Sequence, residues 1–227
     1  MKTSLLHPWH EDAGARFALF AGFDTPIQYP SGAVEAHRLC RRSVGLFAID
    51  PMGQVIISGK GAAEALSKLV SAAILDTKPQ EARYALLLNE AGGVIDDLFI
   101  YRTDYTAIHG DAWMVVVNAG NREKDVACFQ EQLPAEVSIE AISEETYMIA
   151  VQSPRAVELL DALTGKAVSA LPLTHIQATT IQGIPVLIAR TGYTGEGGVT
   201  CLPSLPGNSI YAGKRRSPIA VLTKGWP

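Results

Sequence analysis

Two apolar runs joined by a short turn-forming segment restrict this chain more than any other feature. Tyr84-Ala85-Leu86-Leu87-Leu88 and Val94 through Ile100 flank Asn89-Glu90-Ala91-Gly92-Gly93. Turn residues between two β-prone runs predict an antiparallel hairpin over Tyr84 to Tyr101. Trp113 to Val117 reads as a further buried strand that breaks at Asn118. Asn118 or Asn121 can then cap a helix through Val126, Phe129 and Leu133, halted by Pro134.

Elsewhere the pattern is mixed. Ser31 can cap a helix through Ala33, Val34, His37, Leu39 and Cys40, with Gly45 as its stop signal. Val55 to Ser58 is β-rich, and Ala62 to Val70 carries apolar residues at helical spacing. A strand at Tyr147 to Val151, a helix at Pro154 to Leu163 and strands near His175 to Thr180 and Pro185 to Arg190 follow. Irregular alternation with hairpins indicates an α+β class rather than a doubly wound α/β sheet. From Val199 the texture changes to a proline-, glycine- and serine-containing tail without periodicity, which reads as loop-like.

The 227 residues are 48% hydrophobic and 19% charged, enough for one large domain or two small ones with real cores. A net charge of -4 argues against a nucleic-acid-binding surface, and the one basic run, Lys214-Arg215-Arg216, reads as solvated. Cys40, Cys128 and Cys201 are widely spaced and form no CxxC pair, which favours a reducing compartment over a disulfide framework. Met1 to Trp9 has no leader-like apolar core, and no run approaches the roughly 18 apolar residues of a spanning helix. The expectation is a soluble, cytoplasmic protein with no nucleic-acid or membrane partner.

Familiar catalytic signatures are absent: no GxGxxG after a strand, no Walker-type loop, no HExxH, no GxSxG. His7, His10, His37, His109 and His175 do not fall at metal-ligand spacing, so no metal site is expected. Asp96-Asp97 sit inside an apolar run between Ile95 and Leu98. Neighbours in a strand point to opposite faces, so one carboxylate is solvated while the other faces inward and needs a partner or a ligand. On the residues alone, a hairpin-edge pair and a catalytic Asp are equally good readings. Arg190-Thr191-Gly192-Tyr193-Thr194-Gly195-Glu196 permits a tight turn and close approach of a ligand to the backbone, although an ordinary strand-ending turn is the simpler account.

Taken together, these segments resemble the aminomethyltransferase (T-protein) family of the glycine cleavage system, in order and at the expected spacing. The resemblance rests on Gly14-Ala15-Arg16, Phe20-Ala21-Gly22-Phe23, Pro26-Ile27-Gln28-Tyr29, Arg42 through Phe47 and Met52-Gly53-Gln54. It continues through Asn89-Glu90, Gly92 through Leu98, Val116 through Ala119, Asn121 through Asp125, Ala150-Val151-Gln152 with Pro154, and the Arg190-to-Glu196 loop. It implies a folate-binding ring-type fold that stops before the family's C-terminal barrel. The implied division is a first folate-binding subdomain over 1–50 and 141–198, a second α/β subdomain over 51–140, and an atypical tail over 199–227.

The implied activity is transfer of the methylene carbon from the aminomethyl-lipoyl arm of H-protein to tetrahydrofolate, with release of ammonia. Asp97 matches the family's catalytic carboxylate, which can orient the folate, relay a proton and stabilise a transient cation in a largely dry pocket. Met52, Tyr84, Val117, Asn118, Tyr193 and Glu196 match positions around the folate. Tetrahydrofolate is the implied cofactor and lipoylated H-protein the implied partner.

Several positions depart from the family. Ala48-Ile49-Asp50-Pro51 stands where relatives read Asp-Val-Ser-His, which alters the expected pocket rim. Ser71-Ala72-Ala73 replaces a Thr-Asn-Asp loop, and Ser153 a Gly. Val199-Thr200 stands where relatives place a pterin-gripping Glu, and Thr offers no bidentate acceptor. A shifted or shortened reading frame near Gly198 would account for the tail. Two other functions compete with the transferase: a folate-dependent demethylase of a small methylated donor, and a non-catalytic folate-binding remnant.

Overall fold

The near-continuous apolar runs become strands covered on both faces. The computed structural model describes residues 1–103, 112–144, 146 and 148–203; His109, Tyr147 and the Lys214–Arg216 run lie outside them. The chain opens with α1 (His7–Asp12), β1 (Arg16–Phe20), β2 (Phe23–Gln28), α2 (Ala33–Arg42), β3 (Gly45–Ala48), β4 (Gly53–Ser58) and α3 (Ala62–Leu66). The hairpin β5 (Ala82–Leu88) and β6 (Val94–Thr103) follows, then β7 (Ala112–Val117), α4 (Arg122–Gln132) and β8 (Ser138–Ala141). The last elements are β9 (Ile149–Gln152), α5 (Ala156–Thr164), α6 (Ala167–Ala170), β10 (Ile176–Ile181), β11 (Ile184–Ala189) and β12 (Gly198–Pro203).

These strands form two five-stranded antiparallel sheets, ordered β5-β6-β7-β4-β8 and β10-β11-β12-β9-β3, beside the β1-β2 ribbon. The period of two in a strand explains the layering. In β7, Trp113, Val115 and Val117 join the core that also holds Leu66 and Phe129, while Ala112, Met114 and Val116 join a core between the sheets. In β11, Val186 and Ile188 pack with Leu159 and Leu160 of α5, while Leu187 and Ala189 enter the inter-sheet core. The result is helix, sheet, sheet, helix. Each fully buried Val, Leu or Ile contributes about 1.5–3 kcal/mol by leaving water.

Several local expectations are corrected. Gly32, not Ser31, is the N-cap of helix α2, at φ +80°, a conformation that a residue with a Cβ rarely adopts, and the helix ends at Ser43 while Gly45 opens β3. Helix α3 stops at Leu66 because the chain then turns to join the sheet, with Ser71 N donating to Leu86 O and Leu88 N to Leu69 O. Asn118 and Asn121 occupy N-cap positions, but neither side chain makes a cap bond.

The tail boundary also moves. Val199 to Leu202, expected to be loop-like, lie in β12, which pairs with β9 and β11. Val199, Cys201 and Leu202 are buried, so apolar side chains serve both faces of the strand.

Candidate active site

Strand alternation separates the two aspartates. Leu98 and Ile100 face the helix-covered core, and Phe99 and Tyr101 the inter-sheet layer. Asp96 is accordingly buried beneath α4, and Asp97 emerges at the open end of the inter-sheet layer. Asp97 is exposed, contrary to the expected dry setting, because β6 runs past the end of the inter-sheet core at this point. It is nevertheless tethered. Tyr84 Oη donates to its Oδ2 at 3.2 Å, and Asn118 Nδ2 donates to its Oδ1 at 2.9 Å.

Asp96 gathers donors. It accepts from Asn118 N at 3.2 Å, Asn118 Nδ2 at 3.1 Å and Asn121 Nδ2 at 2.6 Å. Burial opposes its ionisation, but the neighbouring Asp125 carboxyl and hydrogen bonds from Asn118 and Asn121 outweigh that and hold its carboxyl below the usual range. Asn118 thus leaves its expected capping duty to bridge two carboxylates.

A cavity of about 230 Å³ adjoins Asn118. Phe47, Ile49, Met52, Ala150 and Tyr193 make it largely apolar, and Asn118, Gln152 and Thr194 add polar atoms. Desolvation first, and the Asp97 charge second, raise the phenols of both Tyr84 and Tyr193. Asn118 links the two groups, lining the cavity with Tyr193 and bonding the Asp97 that Tyr84 also holds.

The Gly-Tyr-Thr-Gly turn has a packing reason as well. Fully buried Gln152 reaches between Gly192 and Gly198, donating to Thr191 O at 3.3 Å and accepting from Thr194 Oγ1 at 3.0 Å. A Cβ at either glycine would collide with its amide. Gln152 therefore fixes the loop that presents Tyr193.

Other sequence-derived positions lie elsewhere. Val117 directs its side chain into the helix-covered core, away from the cavity. Glu196 is held by Arg41 at 2.7 Å and does not line the cavity. Thr200 is buried, its hydroxyl bonded to Thr191. Asp50 is buried against Ser4 to Leu6 rather than at the rim; burial raises its carboxyl against those polar neighbours. Phe47, Ile49, Gln152 and Thr194 were not singled out as site residues. Only Gln152 carries a sequence signal, a polar residue closing an apolar run. Among the described residues no cluster of three metal-ligating side chains occurs, and no helix is long and apolar enough to cross a membrane.

Fold and site together define an α+β protein with a carboxylate–amide cluster joined through Asn118 to an apolar pocket. Residues 6–200 match the family model described as the GCVT N-terminal domain, and the chain belongs to that family, as the T-protein resemblance implied. It is 41% identical over 215 residues to the aminomethyltransferase of Prosthecochloris aestuarii, covering 93% of this chain and 57% of that one. With the aminomethyltransferase of Chloroherpeton thalassium the identity is 39% over 199 residues, covering 87% and 53%. The crystal structure of glycine cleavage system aminomethyltransferase T from Bartonella henselae matches with a TM-score of 0.83 at 31% identity, covering 99% of this chain and 57% of that one. The chain therefore spans a little over half the length of these relatives.

Proposed function

We propose that this chain carries the folate-handling part of an aminomethyltransferase, which moves the methylene carbon from the aminomethyl-lipoyl arm of H-protein to tetrahydrofolate and releases ammonia. The observation that carries the reading is Asp97, tethered by Tyr84 and by Asn118, the latter lining the pocket with Met52, Phe47 and Tyr193. The names of the relatives support the reaction class.

The donor set suits a reduced pterin. Such a ring has apolar faces and N–H donors at its edge; the pocket offers apolar and aromatic walls, and its Asn118 is bonded to the Asp97 carboxylate. Tetrahydrofolate would supply the nitrogen that takes up the carbon. Met52, Phe47 and Tyr193 would hold the ring and exclude water from it. Asp97 would orient it through an Oδ atom and accept or return a proton there, while Tyr84 and Asn118 hold that carboxylate in place. Three free cysteines support a reducing, cytoplasmic setting.

The test is ammonia release on mixing the chain with aminomethylated H-protein and tetrahydrofolate. Release by the natural sequence, reduced about 100-fold or more in Asp97→Ala, supports the assignment. Binding of tetrahydrofolate without any release would instead identify a folate-binding remnant.

A further inference from the structure

We propose that Asp125 is a positioning residue: it shares one proton with Asp96, and that proton lets Asp96 hold Asn118, which in turn holds Asp97. The inference deepens the folate reading above and rests on it for its functional consequence.

The argument starts from an orphaned group. Asp125 lies in the first turn of α4 with its side chain fully buried, and neither of its carboxyl oxygens meets a protein donor. Its partner is the carboxyl of Asp96, within hydrogen-bond reach. Two ionised carboxylates can only accept hydrogen bonds, so in contact and away from water they repel; one proton between them makes a bond instead. Asp96 already accepts from Asn118 and Asn121, which favours its ionised form. Asp125 has no such donors, so the proton resides there.

The surroundings agree. The groups facing Asp125 are Asp96 from β6 and, on its own helix, Lys124 and Cys128. Lys124 directs its ammonium to Ile95 O rather than pairing with the carboxyl. Burial, then Asp96, pushes Asp125 up to about 8, with Lys124 opposing. Asn121, at the N-cap of α4, makes no cap bond and donates to Asp96 instead. The first turn of α4 is thus organised around Asp96, and through it around Asn118 and Asp97.

The test is carbon-13 NMR of aspartate carboxyls in the full chain, paired with tetrahydrofolate titrations of variants. One carboxyl should stay protonated at pH 7, titrate near about 8, and vanish from the spectrum in Asp125→Asn. Aspartates all ionised at pH 7 would overturn the shared proton. Asp125→Asn keeps a donor toward Asp96 and should bind tetrahydrofolate within about threefold of the natural sequence, whereas Asp125→Leu should lose about tenfold or more. The natural chain should also lose affinity above about pH 8 while the Asn variant does not. Equal affinity in the Asn and Leu variants, or a natural chain whose pH profile matches that of the Asn variant, would overturn the positioning role. A protonated carboxyl in a chain that binds no tetrahydrofolate would overturn the folate reading and leave the shared proton standing.

Discussion

Asn118 Nδ2 lies 2.9 Å from Oδ1 of Asp97 and 3.1 Å from Oδ1 of Asp96, so one amide spans neighbouring carboxylates on opposite faces of β6. Replacing it by Leu leaves both acceptors short of a donor and frees Asp97 to rotate. Ammonia release by Asn118→Leu should fall about 10- to 100-fold. Asn118→Asp should fall further, because a third negative group joins the pair. Single-turnover assays read the effect, and unchanged rates in both variants would contradict it.

Gln152 and Gly198 set a second expectation. The Gln152 amide occupies the space a Cβ on Gly198 would need, and it cannot move without giving up its bonds to Thr191 and Thr194. Gly198→Ala should destabilise the fold by about 1–3 kcal/mol, seen as a lower urea midpoint. Gly195→Ala in the same loop meets no neighbouring atom and tests only backbone freedom at φ +76°. It should cost less.

Thiol accessibility tests the packing of β12. Cys40 is buried with its Sγ 3.6 Å from Gln152 O, and Cys201 is buried with its thiol pushed up to about 12 by desolvation. Cys128 alone is half-buried, lining a separate cleft of about 740 Å³ beside Lys68 and Lys124. A thiol reagent should modify Cys128 first under native conditions and all three in urea. Rapid native labelling of Cys201 would mean that β12 is not docked.

The pH dependence of stability should carry the mark of Asp125. Its folded value, about 8, stands above the ordinary 3.8, so the folded chain binds an extra proton between those values. Its stabilising contribution is full below the lower value and is lost as pH rises through the upper one. Asp96 has the opposite sign: its contribution is present at neutral pH and lost on acidification. Unfolding free energy of the natural chain minus that of Asp125→Asn should therefore decline from pH 5 to 8 and level off above. The difference cancels other titrations, such as that of His10, whose value is lowered by burial and by His7. A flat difference would contradict the account.

What the sequence revealed follows from where apolar pattern and chemistry coincide. β7 is legible because both its faces are covered, leaving an unbroken apolar run, and the β5-β6 hairpin because two largely apolar strands flank a glycine turn. The β1-β2 ribbon was not, since Leu19, Phe20 and Ile27 are exposed and Pro26 interrupts its second strand. β8 has little apolar pattern and, among the described residues, lies at the sheet edge beside β4. Met52, Asn118 and Tyr193 were singled out by resemblance, and the structure gathers them around one cavity. Asn118 and Asn121 looked like caps because nothing local reveals a carboxylate brought to them from a distant strand. The contact between Asp96 and Asp125 is equally invisible in the sequence, 29 residues apart and formed only when α4 settles on β6.

A crystal structure of the chain with tetrahydrofolate tests the central proposal most directly. The pterin should lie against Met52 and Tyr193 with an edge nitrogen in hydrogen-bond reach of Asp97. Ordered folate in the cleft beside Lys68 and Lys124, with the Met52 pocket free of it, would contradict that proposal.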